Sequence, residues 1–424
     1  MAVRTRTRSG SAYALVAVSR TQMTSPFLKA GHLPTLATCF LYFDLSFMVW
    51  VLLGPMAVLI AQDLGLTAGQ KGLLVATPVL AGAVLRIVAG ILVGQLKPRL
   101  TGLLMQAIVI GGLGIAWFLG VHSFAQALAL GVILGVAGAS FAVALPMVSF
   151  WYPKEHQGTA LGLAGAGNSG TVLAALFVPT LAVAFGWVNV LGLAMLPLLL
   201  ALTFFAIFAK NSPTCPPRKT LGDYAAMLKT PDAWWFMFFY SVTFGGFVGL
   251  ASFLPIYFHD QFNLSAVHAG YFTAACVFAG SLVRPLGGAI ADRVGGTKSL
   301  TVIYAVVAIL LLLISPGTFS PYITLALFVL SMIALGMGNG AVFQLVPQRF
   351  GNDVALMTGL VGMTGGIGGF FLAASLGYVQ QYTGSYSGGF IIFAVLSFAA
   401  FIGIARVRLR WRSDMSSDLA TVRI

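Results

Sequence analysis

Two arginines, Arg86 and Arg284, stand deep inside apolar stretches, LVATPVLAGAVLRIVAGILVG and YFTAACVFAGSLVRPLGGAIADR. No acidic residue precedes either of them for several helical turns, and the next charges along the chain are Lys97 and Asp292. At about 1.5 Å per helical residue both guanidinium groups lie roughly 12–16 Å inside, near the middle of a ~30 Å hydrocarbon layer. An unpaired cation at that depth costs on the order of several kcal/mol, so it must line a wet cavity and take a partner. The chain offers no carboxylate there. The chemistry indicated is recognition of an anion brought from outside.

The elements that carry these arginines must span a membrane. Of the 424 residues 59% are hydrophobic and 8% charged, and the mean hydropathy is +0.96. Apolar runs of about 20 residues, each ended by Gly, Pro or a charge, recur along the chain and predict twelve transmembrane helices. The net charge of +13 collects in the segments 1–34, 210–231 and 407–424 and in alternate short loops, while the opposite side receives only Lys71. Positive charge marks the cytoplasmic side, so both termini are expected there. Nothing in the basic balance is then left for a nucleic-acid reading. Cys39, Cys215 and Cys276 are scattered, which predicts neither a disulfide framework nor a metal site. No cofactor motif is present.

The polar stretch 210–231 divides the chain into a six-helix bundle over 35–209 and a second over 232–406. Residues 1–34 are read as a cytoplasmic extension and 407–424 as a cytoplasmic tail. The halves echo each other. An offset of 198 residues superposes AGAVLRIVAG (81–90) on AGSLVRPLGG (279–288), and Arg86 on Arg284. An offset of 197 superposes GLAGAGNSG (162–170) on GLVGMTGGI (359–367). Two homologous bundles about a pseudo-two-fold axis bring both arginines to one cavity. This all-α architecture resembles the major facilitator superfamily, and GGAIADRVGG (287–296) is similar to its loop motif, with Asp292 and Arg293 in gating or structural positions.

Span 5 carries Gly165 and Gly167 around Asn168, and span 11 carries Gly365 and Gly366. Small residues let helices touch, but glycines at this density cost about 1 kcal/mol each in helix stability. Backbone movement or close approach to a small substrate would justify that cost. An Asn in such a span serves either as a helix–helix contact or as a substrate donor.

GAGNSGTVLAALFVPTLA (165–182) and GLVGMTGGIGGFFL (359–372) resemble the two signature motifs of the nitrate/nitrite porter family of that superfamily. The segments 40–55, 138–162, 240–255 and 336–350 agree with it. The resemblance implies that Arg86 and Arg284 grip the anion, that Phe141 and Phe343 stack on its faces, and that Asn168, Tyr240 and Phe244 complete the site. Nitrate is flat and singly charged, so guanidinium forks suit its edge and aromatic rings its faces.

The expected activity is alternating-access transport of nitrate and nitrite, by exchange or by proton symport, in the plasma membrane of a monomeric carrier. It is not an enzyme on this reading. Organophosphates or small carboxylates are the alternative cargo. Asp44 is the one acid in a span interior and the candidate for proton coupling. In the empty cavity the two arginines are expected to repel and hold the halves apart.

Overall fold

A computed structural model describes residues 27–213 and 219–415. Twelve helices in it are long and apolar enough to cross a membrane. We number them α1 (Leu33–Leu64), α2 (Ala68–Leu96), α3 (Pro98–Leu119), α4 (Phe124–Ser149), α5 (Thr159–Phe185), α6 (Trp187–Phe208), α7 (Pro231–Phe262), α8 (Ala266–Val294), α9 (Gly296–Ile314), α10 (Pro321–Phe350), α11 (Leu356–Thr383) and α12 (Ser387–Trp411). The first six form one bundle and the last six the other. The side from which α1 rises is called the terminal face, and its opposite the far face.

The bundles meet where side chains are small. α2 lies along α11, with Gly72 so close to Gly377 that a Cβ on it would stand 2.9 Å from the Gly377 Cα. α5 crosses α8 where a Cβ on Gly270 would come within 2.7 Å of the Ala175 carbonyl. At the far face Lys71 pairs with Asp260, which also accepts from the Tyr386 hydroxyl at 3.0 Å. The Gln381 side chain accepts from the Gly69 N–H at 2.9 Å. The far face is thus closed by contacts between the two halves. Along the terminal half of α5 packing is open instead: a Cβ on Gly162 or Gly165 meets nothing within 4 Å.

Several spans are broken near mid-depth, each for a local reason. In α1, Pro55 cannot donate to the Val51 carbonyl; the helix loosens at Val51–Leu52, and Gly54 N–H takes that carbonyl at 3.0 Å. In α8, Pro285 leaves the Ser281 carbonyl without its usual partner, and the helix turns at Val283. In α4 the break falls at Ala139–Ser140, after Gly138. In α5 the glycines leave a 3₁₀ turn over Ala166–Ser169. Irregular backbone survives inside a membrane only where it is buried in protein or lines a cavity. Trp50, Phe141, Asn168 and Arg284 each sit at one of these breaks.

The stretch 210–231 is more than a polar connection. A short helix, Leu221–Met227, starts in a reciprocal Thr220–Asp223 capping box. It buries Tyr224, whose hydroxyl would meet a Cβ on Gly90 of α2 at 2.9 Å and one on Gly359 of α11 at 3.2 Å. The connecting segment therefore touches both halves at the terminal face. Within the 1–34 extension, residues 1–26 lie outside the described residues. Phe27 opens a short helix and stacks on Tyr152 at 5.1 Å. α12 continues as helix beyond 406 to Met415. Cys39 and Cys276 are buried free thiols, and Cys215 lies outside the described residues.

Candidate functional site

Arg86 on α2 and Arg284 on α8 occupy corresponding helices of the two bundles and reach the same set of aromatic rings. The Arg86 guanidinium carbon lies 5.3 Å from the ring centre of Trp50, 5.5 Å from that of Phe141 and 5.3 Å from that of Phe244. The Arg284 guanidinium lies 5.6 Å from Phe343 and 3.5 Å from the Tyr240 hydroxyl. Tyr240 and Phe244, one turn apart on α7, stack at 5.1 Å with planes 4° apart. Phe343 stands edge-on to Tyr240 at 5.0 Å and 6.3 Å from Phe141. Two cations thus share one aromatic wall built from both halves, where quadrupoles offset part of the cost of burying charge.

The hydrogen bonding of Arg86 differs from a free fork. Its Nε donates to the Gly138 carbonyl at 3.2 Å and its Nη1 to the Gly362 carbonyl at 2.6 Å. Only Nη2 is buried with no partner, and Arg284 keeps Nη1 in the same condition. Neither arginine pairs with a carboxylate among the described residues. The expectation that the arginines hold the halves apart meets an opposite local fact, since Arg86 bonds across the interface to α11. Each guanidinium retains donors for a small acceptor, and the positive charge has no counter-ion.

Trp50 was not legible as a site residue. It is 0% exposed, wedged between Gly82 and Gly138, where a Cβ would meet its Nε1 at 2.7 and 2.3 Å. Its Nε1 donates to the Pro78 carbonyl at 2.7 Å. Gly138 therefore both accepts from Arg86 and seats the ring beneath it. The signal available in the sequence was an aromatic shortly before Pro55 in the same span, which spans of this composition supply many times over.

Asn168 is 3% exposed within the 3₁₀ turn of α5, and its Oδ1 has no partner. The glycines divide by surroundings. Gly167 lies against Phe43, Gly365 beneath Tyr240 and Phe244, and Gly366 against Ala83, all as close helix contacts; Gly165 faces open space. Asp44, 6% exposed, accepts from Ser169 Oγ at 2.6 Å. Asp292 and Arg293 are exposed at the end of α8, away from the arginine pair. Among the described residues no cluster of three or more His, Cys, Asp or Glu has metal-binding geometry.

The family model of the Major Facilitator Superfamily matches residues 38–373. The nitrite extrusion protein of Bacillus subtilis is 31% identical over 374 residues, covering 88% of this chain and 93% of its own. The chain belongs to the nitrate/nitrite porters of the major facilitator superfamily. This porter is also similar to the probable nitrate/nitrite transporter NarK2 of Mycobacterium tuberculosis, 32% identical over 332 residues, with 77% and 84% of the two chains covered. The probable nitrate/nitrite antiporter NarK1 of Thermus thermophilus is 30% identical over 414 aligned positions, covering 88% and 90%. In fold it matches the crystal structure of a D-xylose–proton symporter with a TM-score of 0.71, at 13% identity and with 88% and 97% of the chains covered.

Proposed function

We propose that this porter exchanges nitrate and nitrite across the membrane by alternating access. The observation that carries the reading is the pair of buried guanidinium groups, each with an unbonded N–H and no carboxylate partner, against one aromatic wall. A planar monovalent oxyanion fills both needs: its edge accepts from Nη2 of Arg86 and Nη1 of Arg284, and the rings of Phe141 and Phe343 cover its faces. Asn168 supplies a further amide, and Tyr240 and Phe244 fix the wall. Anion binding neutralises part of the charge of the two arginines, and the glycine-rich parts of α5 and α11 let the halves rock around the loaded site. Exchange needs no proton carrier, and the relatives named for extrusion and antiport are consistent with it. By the distribution of Lys and Arg both termini are cytoplasmic; a monomeric carrier in the plasma membrane is part of the same reading. It catalyses no chemical conversion.

A second coupling mode, proton symport, has one observation in its favour. The Asp44 carboxylate is buried against a hydroxyl, so protonating it strands no cation. Nitrate uptake into proteoliposomes separates the two. Uptake only into nitrite-loaded vesicles supports exchange. Uptake into empty vesicles that stops when an inward proton gradient is collapsed supports symport through Asp44. No uptake in either overturns the nitrate reading and turns attention to organophosphates or carboxylates.

A further inference from the structure

The turn that carries Asn168 is anchored from outside α5. α5 stops being α-helical at Ala166, passes through one 3₁₀ turn, and restarts at Gly170. The backbone stays right-handed through the turn and the Gly170 N–H is met by the Gly167 carbonyl. What ties the turn to its surroundings is a side-chain contact with another helix. Ser169 shares its hydroxyl proton between the Asp44 carboxylate at 2.6 Å and the Ala166 carbonyl at 2.9 Å; the shorter, charge-assisted bond dominates. With the Gly170 N–H held within the turn, the tie to α1 is made by the Ser169 side chain.

The seat around this contact is built to fit. A Cβ on Gly170 would stand 1.8 Å from the Asp44 carbonyl oxygen. One on Gly167 would stand 2.4 Å from the Phe43 ring and 2.9 Å from the Asp44 nitrogen. The backbones of α1 and α5 therefore touch on both sides of Asn168, and Thr171 closes the turn by donating to the Asn168 carbonyl at 2.7 Å. No cation pairs with Asp44 among the described residues. Its carboxylate is met by the Ser169 hydroxyl.

We propose that Asp44 is a positioning residue: by accepting from the Ser169 hydroxyl it pins the 3₁₀ turn of α5 to α1 and so holds the Asn168 side chain at the anion. The inference rests on the reading that Asn168 contacts the transported anion. It gives Asp44 work that an exchanger needs, independent of any proton. Phe43, beside it in sequence, packs 5.7 Å from Phe141, so the same turn of α1 supports the amide and one face of the aromatic wall.

The test compares three substitutions in purified, monodisperse protein, reading nitrate KM and maximal rate in nitrite-loaded vesicles. Asp44→Asn keeps an acceptor oxygen and should leave KM within about twofold of wild type. Asp44→Leu removes the acceptor and should raise KM about tenfold, the scale of a lost charge-assisted hydrogen bond, with a smaller change in maximal rate. Ser169→Ala should fall between them. Because Asp44 acts through Asn168, the double variant Asp44→Leu/Asn168→Ala should have no higher KM than Asn168→Ala alone.

Additive KM effects in the double variant overturn the proposal, as does an Asp44→Asn protein that loses gradient-driven uptake with KM unchanged. If Asp44→Leu does not fold, the same comparison is made with Ser169→Ala and Asn168→Ala. Hydrogen exchange at residues 168–172 supplies a readout free of substrate. Faster exchange in Asp44→Leu and not in Asp44→Asn supports the tie through Ser169; equal exchange in both overturns it. A wild-type protein that carries no nitrate sinks the substrate reading alone, and the exchange measurement still decides the role of Asp44.

Discussion

Arg86 of the first half donates its Nη1 to the main-chain carbonyl of Gly362 in the second, at 2.6 Å. The bond joins the anion site to the glycine-rich stretch of α11 without using a side chain on that helix. It also limits what Arg86 can offer. With Nε held by Gly138, the guanidinium presents one free nitrogen to a ligand, and its planar shape serves two carbonyls and an anion at once.

Arg86→Lys keeps the charge and cannot keep that geometry, because an ammonium on a flexible stem cannot satisfy two divergent carbonyls and an anion together. Uptake should fall at least ~100-fold, the scale of a lost charge-assisted bond of roughly 2–3 kcal/mol. Arg284→Lys should lose a comparable factor. Exchange in proteoliposomes containing equal amounts of folded protein checks both, and near-normal transport by either would contradict the shared role of the two guanidinium groups.

Trp50 supports Arg86 from below. Trp50→Phe keeps an aromatic ring but loses the bond to the Pro78 carbonyl and part of the cation–π contact. A loss of about 1 kcal/mol raises the nitrate KM roughly fivefold. The measurement is the concentration dependence of uptake, with the maximal rate expected to change less than KM.

The far-face pair Lys71–Asp260 links α2 to α7, and Tyr386 ties α12 to the same carboxylate. Partly exposed pairs are worth up to about 1 kcal/mol. Lys71→Ala should therefore speed hydrogen exchange over residues 66–76 and 377–386 by up to about fivefold, while the terminal ends of α4 and α10 stay unchanged. Uniform protection in the variant would mean that the helix contacts alone keep this face shut.

His32 caps α1 through Nδ1, which accepts from the Thr35 N–H at 3.2 Å. The Thr35 hydroxyl, 2.7 Å from the same nitrogen, accepts in turn from the Lys210 N–H at 3.0 Å. Burial, and then the nearby Lys210 charge, hold the imidazole below its ordinary pKa. The folded protein therefore favours neutral His32. As pH falls below about 6.5 the unfolded chain takes the proton first, and this part of the stability declines until the folded pKa is passed. Melting in detergent between about pH 7.5 and 5 should show that decline in wild type, and a flatter profile in His32→Asn, which caps without titrating.

The twelve spans were legible because each is a long apolar run ended by a charge, Pro or Gly, and membrane insertion leaves such a run few alternatives. Arg86 and Arg284 were legible for the complementary reason: a charge at that depth has to be explained. What stayed hidden depends on residues far apart in sequence. Asp44 of α1 meets Ser169 of α5, 125 residues further along the chain. Lys71 stood out only as a lone positive charge on the far side, and its partner Asp260 lies in the other half. Tyr224 lay in a stretch read as a loop, although Thr220 and Asp223 spell a capping box. Trp50 could not be told from six other tryptophans until Gly82 and Gly138 were seen to make room for it.

The Lys71–Asp260 pair also leaves the two entrances electrically unlike. Near the far rim the charged side chains are Asp63, Lys71 and Asp260, and the only lysine is already neutralised. Among the described residues, Lys29, Lys97, Arg99, Lys210, Lys219 and Lys229 belong instead to the terminal rim. Anions diffusing toward that rim are steered, at a rate that falls as salt screens the field. Those arriving at the far rim meet no such attraction, and the charge left on Asp63 makes their approach easier as salt screens it. One site, reached from two sides, is thus loaded by two kinetic regimes, and the asymmetry lies in how quickly each pool of ions is sampled, with no effect on the equilibrium between them.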